Sequence, residues 1–389
     1  MSTYFYPVAA SPAPAAVARP RRLHPAVVPV LYVAWTLFAV FVYSRYSQLG
    51  DAESYMTGAY AADPETQART LFVTKLAARL SALGGALGAH LAFSLFAATG
   101  IAYMVWQANA HGRHRWPLLV LLLLPNFGVW TAVIGREALF TGLLGLFLGA
   151  LIGYYRRGGL YRILLALLCV GGMVFLRGPF GMGAGLLLLG FLVIVWGPST
   201  RLSAGVQALM LAGVAALAVA LLWPQLDRYI TEDVLPKARS YFTIHSPTTR
   251  LWVEMDTSGD LFGSLWWSLP LALLGPTPGE VLARPVMLPF FLSGLIVIGL
   301  LLHGIRQALF RAPAGLPRKI LMLGWLPAML VVLIAYVPFG IYNPGSGIRY
   351  AATFLLLLVF PSMLLSAVDT EAADALDAQA EDPHATEDE

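Results

Sequence analysis

Apolar runs of about 20 residues recur along this 389-residue chain, and they decide its solvent. "WPLLVLLLLPNFGVWTAVI" from Trp116 and "LSGLIVIGLLLHGI" from Leu292 are two of them. In lipid such a run can satisfy its backbone polar groups only as a helix or within a closed barrel. A barrel would show alternating segments of about 10 residues rather than solid runs, so it is excluded. Charged residues make up only 12% of the chain, about half the share of a soluble domain. The sequence therefore reads as an all-α, polytopic transmembrane helical bundle.

About ten spans are expected: Ala26–Tyr43, Leu87–Gln107, Trp116–Ile134, Ala138–Tyr155, Ile163–Leu176, Met182–Trp196, Ala204–Trp223, Pro285–Ile305, Ile320–Tyr336 and Tyr350–Val368. The leader, 1–25, is rich in Ala and Pro and should be a disordered cytoplasmic segment. Its cluster Arg19, Arg21 and Arg22 resembles the start of a signal peptide. The apolar run that follows is long enough to span, so it reads as an uncleaved first helix. The bundle occupies 26–368, with outer loops at 44–86 and 224–284, and an acidic tail, 369–389, should be disordered and cytoplasmic.

Charge fixes the expected orientation. When the loops are assigned alternately, one side receives 13 basic residues and, before the tail, no Asp or Glu. The other side receives 12 basic residues and all 12 acids that precede the tail. The basic side is cytoplasmic by the positive-inside rule, which puts both termini in the cytoplasm of a bacterial inner-membrane protein. Cys169 lies within an apolar run as a packing residue, and the seven histidines lack paired ligand spacing for zinc.

Four features distinguish the outer side. "LGDAESY" puts Asp51 and Glu53 just past the first span, and "TQARTLFVTKLAARLSAL" behind it has the period of an amphipathic helix lying in the interface. In "LPNFGVWTAVIGREALF", Arg136 and Glu137 stand between two spans with almost no loop around them. Arg177 stands alone in "FLRGPFGMG", and Arg349 with Tyr350 follows the Asn-Pro-Gly turn of "NPGSGIRY". Ionisable groups at membrane depth are costly and point to function, while snorkelling to the interface is the plainer explanation for each. Trp252, Trp266 and Trp267 in the long loop suit interface seating or sugar stacking.

These motifs resemble a known family. "LGDAESY" looks like the acidic motif opening the first outer loop of GT-C-type glycosyltransferases, and the stretch behind it is similar to their interfacial helix. "LPNFGVWTAVIGREALF" resembles a Pro–Trp–Lys/Arg-Glu pattern of bacterial exopolysaccharide polymerases and integral-membrane sugar transferases. "GPTPGEV" and "NPGSGIRY" look like later landmarks of that group. The resemblance implies sugar transfer from a polyprenyl-phosphate-linked saccharide to an acceptor hydroxyl on the outer face. Asp51 would be the base, with Glu53 as its partner or as a metal or acceptor contact. Arg136, Arg177 and Arg349, beside Tyr350, would hold the donor phosphate, with Glu137 orienting Arg136. No cofactor is implied, and a divalent cation is left open. Membrane lipid and other polysaccharide-assembly proteins are the implied partners, and nucleic acid is not. The acids are split as Asp-Ala-Glu rather than adjacent, which leaves the division of labour between them open. An O-antigen-type polymerase, a transporter or flippase of lipid-linked saccharides, and a purely structural subunit of an envelope complex are the competing readings.

Overall fold

The computed structural model describes residues 22–61, 66–197, 203–243 and 249–381. The expected leader disorder up to residue 21, the sorting of Arg19, Arg21 and Arg201, and residues 382–389 of the tail lie outside them. Among the described residues the regular structure is helical, with no strand beyond an isolated bridge between Arg22 and His111. In chain order the helices are α1 (Val27–Phe41), α2 (Ala52–Met56), α3 (Ala68–Ala108), α4 (Trp116–Leu123), α5 (Pro125–Thr131), α6 (Arg136–Arg157), α7 (Leu160–Leu176), α8 (Gly178–Trp196) and α9 (Ala204–Arg228). They continue as α10 (Leu235–Thr243), α11 (Ser258–Leu274), α12 (Pro278–Ala283), α13 (Leu288–Arg306), α14 (Leu316–Lys319), α15 (Leu326–Gly340), α16 (Pro344–Ala352) and α17 (Phe360–Glu381).

Among the described residues, seven stretches are long and apolar enough to cross a bilayer: Val27–Arg45, Ala68–Ala108, Arg136–Arg157, Gly178–Trp196, Pro285–Arg311, Leu316–Gly340 and Leu355–Ala373. An eighth arises if Gly205–Val214 and Val219–Ser240, which meet at 52°, form one span. The remaining expected spans differ for physical reasons. Trp116–Ile134 is divided because Pro125 has no N–H to continue α4, and Leu124 turns to an extended backbone. The Trp35 indole donates to the freed Leu122 carbonyl at 2.8 Å. At 17 residues, α7 stands at the lower limit of a crossing. The last expected span is also divided, so Arg349 and Tyr350 ride on the separate short helix α16.

The amphipathic stretch forms the first part of α3. As one straight rod its 41 residues would run about 62 Å, twice the bilayer core, and it bends instead. The bend is at Gly85, with φ +69° and ψ 179°, a conformation that a side chain would strain. Before it, Val73, Thr74 and Ala77 are buried while Lys75 and Arg79 are exposed. The face turned inward is thus displaced from Phe72, which stays half exposed and meets Phe175 edge-on at 5.8 Å.

Past the bend, α3 packs on α6 along a seam of small residues. A Cβ on Gly145 would overlap the Gly100 backbone, and one on Gly149 would overlap the Tyr103 ring and meet the Met104 backbone. Small residues let helix backbones approach closely where lipid supplies no hydrophobic drive between helices. At the far end of α6, Arg156 reaches Glu371 at 4.0 Å, and the buried His114 meets Asp369 at 3.0 Å. These contacts, with a run of alanines, carry α17 to Glu381, so the expected disorder does not begin at residue 369.

The long loop after α9 is also built. Thr257 with Asp260 and Thr277 with Glu280 form capping boxes that start α11 and α12. Arg250, 2% exposed, grips Glu280 with two parallel hydrogen bonds of 2.8 and 2.7 Å and donates to the carbonyls of Gly275 and Ile341. Burial opposes the charge of Glu280, and the hydrogen bonds and charge of Arg250 together with the hydrogen bonds from Thr277 outweigh it, so the carboxyl sits below its ordinary pKa.

Two predictions follow from this packing. Gly145→Leu should lower stability by about 1–3 kcal/mol through overpacking, read as a lower melting temperature in detergent. The Arg250–Glu280 contribution should be full above about pH 4.3 and lost as pH falls through the lower folded value. The gap in melting temperature between wild type and Glu280→Gln should therefore shrink from pH 7 to pH 4. A constant gap would show that the ion pair carries no stability.

Candidate functional site

A non-helical stretch, Ala132–Gly135, delivers Arg136 and Glu137 to the bundle. Buried unwound backbone needs partners, and α1 and α3 provide them. Tyr32 and Thr131 share a hydrogen bond of 2.9 Å, and Thr36 donates to the Ala132 carbonyl at 2.9 Å. The Ile134 N–H donates to His90 Nδ1 at 3.1 Å. The start of α6 is thereby fixed in place.

Glu137 is the hub of the site. It is 1% exposed, and its Oε1 accepts from Arg177 Nη2 at 2.5 Å and from Arg349 Nε at 2.7 Å. Its other oxygen folds back over Gly135, where a Cβ would stand 2.7 Å away. A carboxylate in the first turn also suits the positive end of the helix. Arg177, 6% exposed at the junction of α7 and α8, lies 4.1 Å over the Tyr350 ring. Tyr350 in turn stacks on Phe339 with centroids 5.2 Å apart.

Asp51 enters from the first loop. It occupies the N-cap of α2, yet its side chain makes no capping bond. Instead Oδ2 accepts from Arg349 Nη2 at 2.8 Å, and Oδ1 accepts from the Tyr60 hydroxyl at 3.2 Å. The turn before it depends on Gly50, whose φ is +61° and whose missing Cβ leaves room for the Arg349 guanidinium. Arg349 comes from the last turn of α16, a helix started by Asn343, which caps Gly345 and Ser346. It also lies 5.8 Å over Trp130. Burial, and then the charge of Asp51, raise the Tyr60 pKa, so this hydroxyl remains a donor. Burial pushes Tyr55 up to about 12.

The structure thus brings together Asp51, Glu137, Arg177, Arg349 and Tyr350, with Arg136 alongside. Two details differ from expectation. Glu137 bonds Arg177 and Arg349 rather than orienting Arg136. Glu53 is exposed and, among the described residues, makes no hydrogen bond or ion pair through its carboxylate, because two positions along a helix turn a side chain by about 200° from Asp51. Arg136 is half-buried, has no ion-pair or hydrogen-bond partner among the described residues, and neighbours Tyr55, Glu137 and Tyr350. Gly50, Tyr55, Tyr60 and Trp130 complete the surroundings. Of these, Tyr55 and Tyr60 carried a signal, as aromatics close behind the acids.

Among the described residues, three buried donors around the cluster lack an acceptor: Arg136 Nε, Arg177 Nε and Trp130 Nε1. The first turns of α6 and α8 also meet here without side-chain caps. Such a surplus of donors suits an anion. Among the described residues no group of three or more His, Cys, Asp or Glu gathers for a metal ion. No known family model, curated protein or solved structure matches the chain.

Glu137→Gln removes the charge that two buried guanidiniums share and should cost about 3–5 kcal/mol. Glu53→Gln should stay within about 0.5 kcal/mol of wild type. Melting temperatures of the purified variants in detergent check both, and equal losses would contradict the hub assignment.

Proposed function

We propose that this protein is a membrane-embedded glycosyltransferase that takes a sugar from a lipid-linked, phosphate-activated donor. The observation that carries the reading is Arg136, a half-buried guanidinium without a hydrogen-bond or ion-pair partner among the described residues, beside two arginines already held by carboxylates. A cluster of three guanidiniums and two carboxylates has an excess positive charge and donors to spare, and arginine's fork matches phosphate oxygens. A donor carried on a polyprenyl tail explains why such a site is built into an apolar bundle.

The reading assigns roles residue by residue. Arg136, Arg177 and Arg349 bind the donor phosphate, and Tyr350 supports Arg177 from below. Asp51 takes the proton of the acceptor hydroxyl. At rest Asp51 is engaged by Arg349, so an arriving phosphate competes for that arginine and releases the carboxylate. Tyr60 keeps the released carboxylate oriented. Glu137 positions Arg177 and Arg349, and Glu53 takes no part in the transfer. The reading takes this end of the bundle as the outer face of a bacterial inner membrane. Arg156 and Arg157 close α6 at its other end, about 33 Å away, and the basic side faces the cytoplasm.

The test is glycolipid or polymer formation in cells that carry the wild type, Asp51→Asn, Arg136→Ala, Arg349→Ala or Glu53→Gln at matched membrane expression. Asp51→Asn should lower product formation by about 10²–10⁴-fold, as expected for loss of a general base. The arginine variants should also lose product, and Glu53→Gln should retain it. An active Asp51→Asn variant would remove the base assignment, and active arginine variants would remove the phosphate site.

A further inference from the structure

The end of α6 opposite Glu137 carries a second group of arginines, which the transferase reading does not use. Arg156 and Arg157 close α6, Gly158 and Gly159 turn the chain at φ +62° and +97°, and Arg162 follows in the first turn of α7. The three converge on Gln107, near the end of α3. Arg156 Nη1 donates to the Gln107 main-chain carbonyl at 3.0 Å, and Arg157 Nη2 donates to its Oε1 at 2.9 Å. Arg162 Nε lies beside the same amide, since a Cβ on Gly153 would stand 3.0 Å from the one and 2.8 Å from the other. Gln107 is neutral and buried, so it orders these guanidiniums without balancing their charge.

Arg162 is 7% exposed, yet among the described residues it meets no carboxylate. The acids at this end are engaged by other groups, Asp369 by His114 and Glu371 by Arg156. Of the five N–H groups of Arg162, one at Nη1 goes to the Gly158 carbonyl. Its Nε is buried with no acceptor among the described residues. The first turn of a helix also disfavours a cation, and here its leading N–H groups have no side-chain cap and no acid beside them. A buried cation without a counter-charge is costly, and an anion at this turn would relieve every one of these costs.

We propose that the α6–α7 turn binds the phosphate of an anionic phospholipid. Arg157 and Arg162 supply the charge, and the first N–H groups of α7 supply further donors. The surroundings fit the rest of a lipid. Leu160, Leu164 and Leu168 form one exposed row along α7, on which the chains lie. Trp106, 5.6 Å beneath the Arg157 guanidinium, and Trp196, which donates to the Tyr154 hydroxyl at 2.7 Å, are both exposed, as aromatics at headgroup level are. Free phosphate shares the headgroup's chemistry but makes no use of the leucine row. The site is independent of the transferase reading.

The experiment titrates the full-length protein, purified in a neutral detergent, and reads the rise in melting temperature. The probes are dihexanoylphosphatidylglycerol, dihexanoylphosphatidylcholine and inorganic phosphate. The two lipids share their chains and differ in headgroup charge. The anionic lipid should bind at least about tenfold tighter than the zwitterionic one. Arg162→Gln and Arg157→Gln should each remove that preference, while Arg306→Gln, at an exposed position closing α13, should keep it. Arg157 is exposed, so its variant carries the test even where Arg162→Gln does not fold. Equal binding of the two lipids, a preference that survives Arg157→Gln, or one lost equally in Arg306→Gln overturns the site. Inorganic phosphate that stabilises as strongly, with the same loss in Arg157→Gln, would keep the anion site and overturn the lipid as its occupant.

Discussion

A buried carboxylate that serves two arginines governs this architecture. Glu137 stands at the first turn of α6 and binds Arg177, between α7 and α8, and Arg349, on α16. Arg349 then reaches Asp51 at the start of α2. One carboxylate thereby joins four regions of the chain in an apolar setting, where an unpaired charge is far more costly than in water. The polar groups of α1 and α3 that hold Ala132–Gly135 serve the same end, since they fix where α6 begins.

The helices around this hub divide the labour along their length. The α3–α6 seam is built of glycines and brings two backbones together, so the hub is anchored to a rigid pair. The loop beyond α9 is tied by Arg250 to Glu280 and to the carbonyls near Gly275 and Ile341. That fastening lies close in sequence to Asn343, the residue that starts the helix bearing Arg349. The opposite end of the bundle holds its own polar contacts, His114 with Asp369 and Arg156 with Glu371. Each end of the molecule is pinned independently.

Much of this was legible in one dimension, for an identifiable reason. A charged residue at the edge of an apolar run is conspicuous, so Asp51, Arg136, Glu137, Arg177 and Arg349 could be singled out without any structure. Their pairing could not. Nothing local indicates that Glu137 passes over its neighbour Arg136 for partners 40 and 212 positions away. The orientation of Glu53 was not legible either, because Asp51 turned toward Arg349 leaves Glu53 exposed once α2 forms. The helix bounds departed from expectation at Pro125 and after Ala352, where breaks are small in sequence and divide an apolar run that otherwise reads as continuous. The inward face of α3 joins Val73, Thr74 and Ala77 to Leu76 and Leu80, while Phe72 stays half exposed, a division set by packing rather than by hydrophobicity.

The long separation between Glu137 and Arg349 also bears on how the protein is made. Synthesis at about 5–20 residues per second leaves Glu137 waiting roughly 10–40 s for the segment that carries Arg349. Arg177 follows only 40 residues after Glu137 and arrives within seconds. The α7–α8 junction therefore supplies the first counter-ion of Glu137 in order of synthesis, and α16 supplies the second only once the last third of the chain is made.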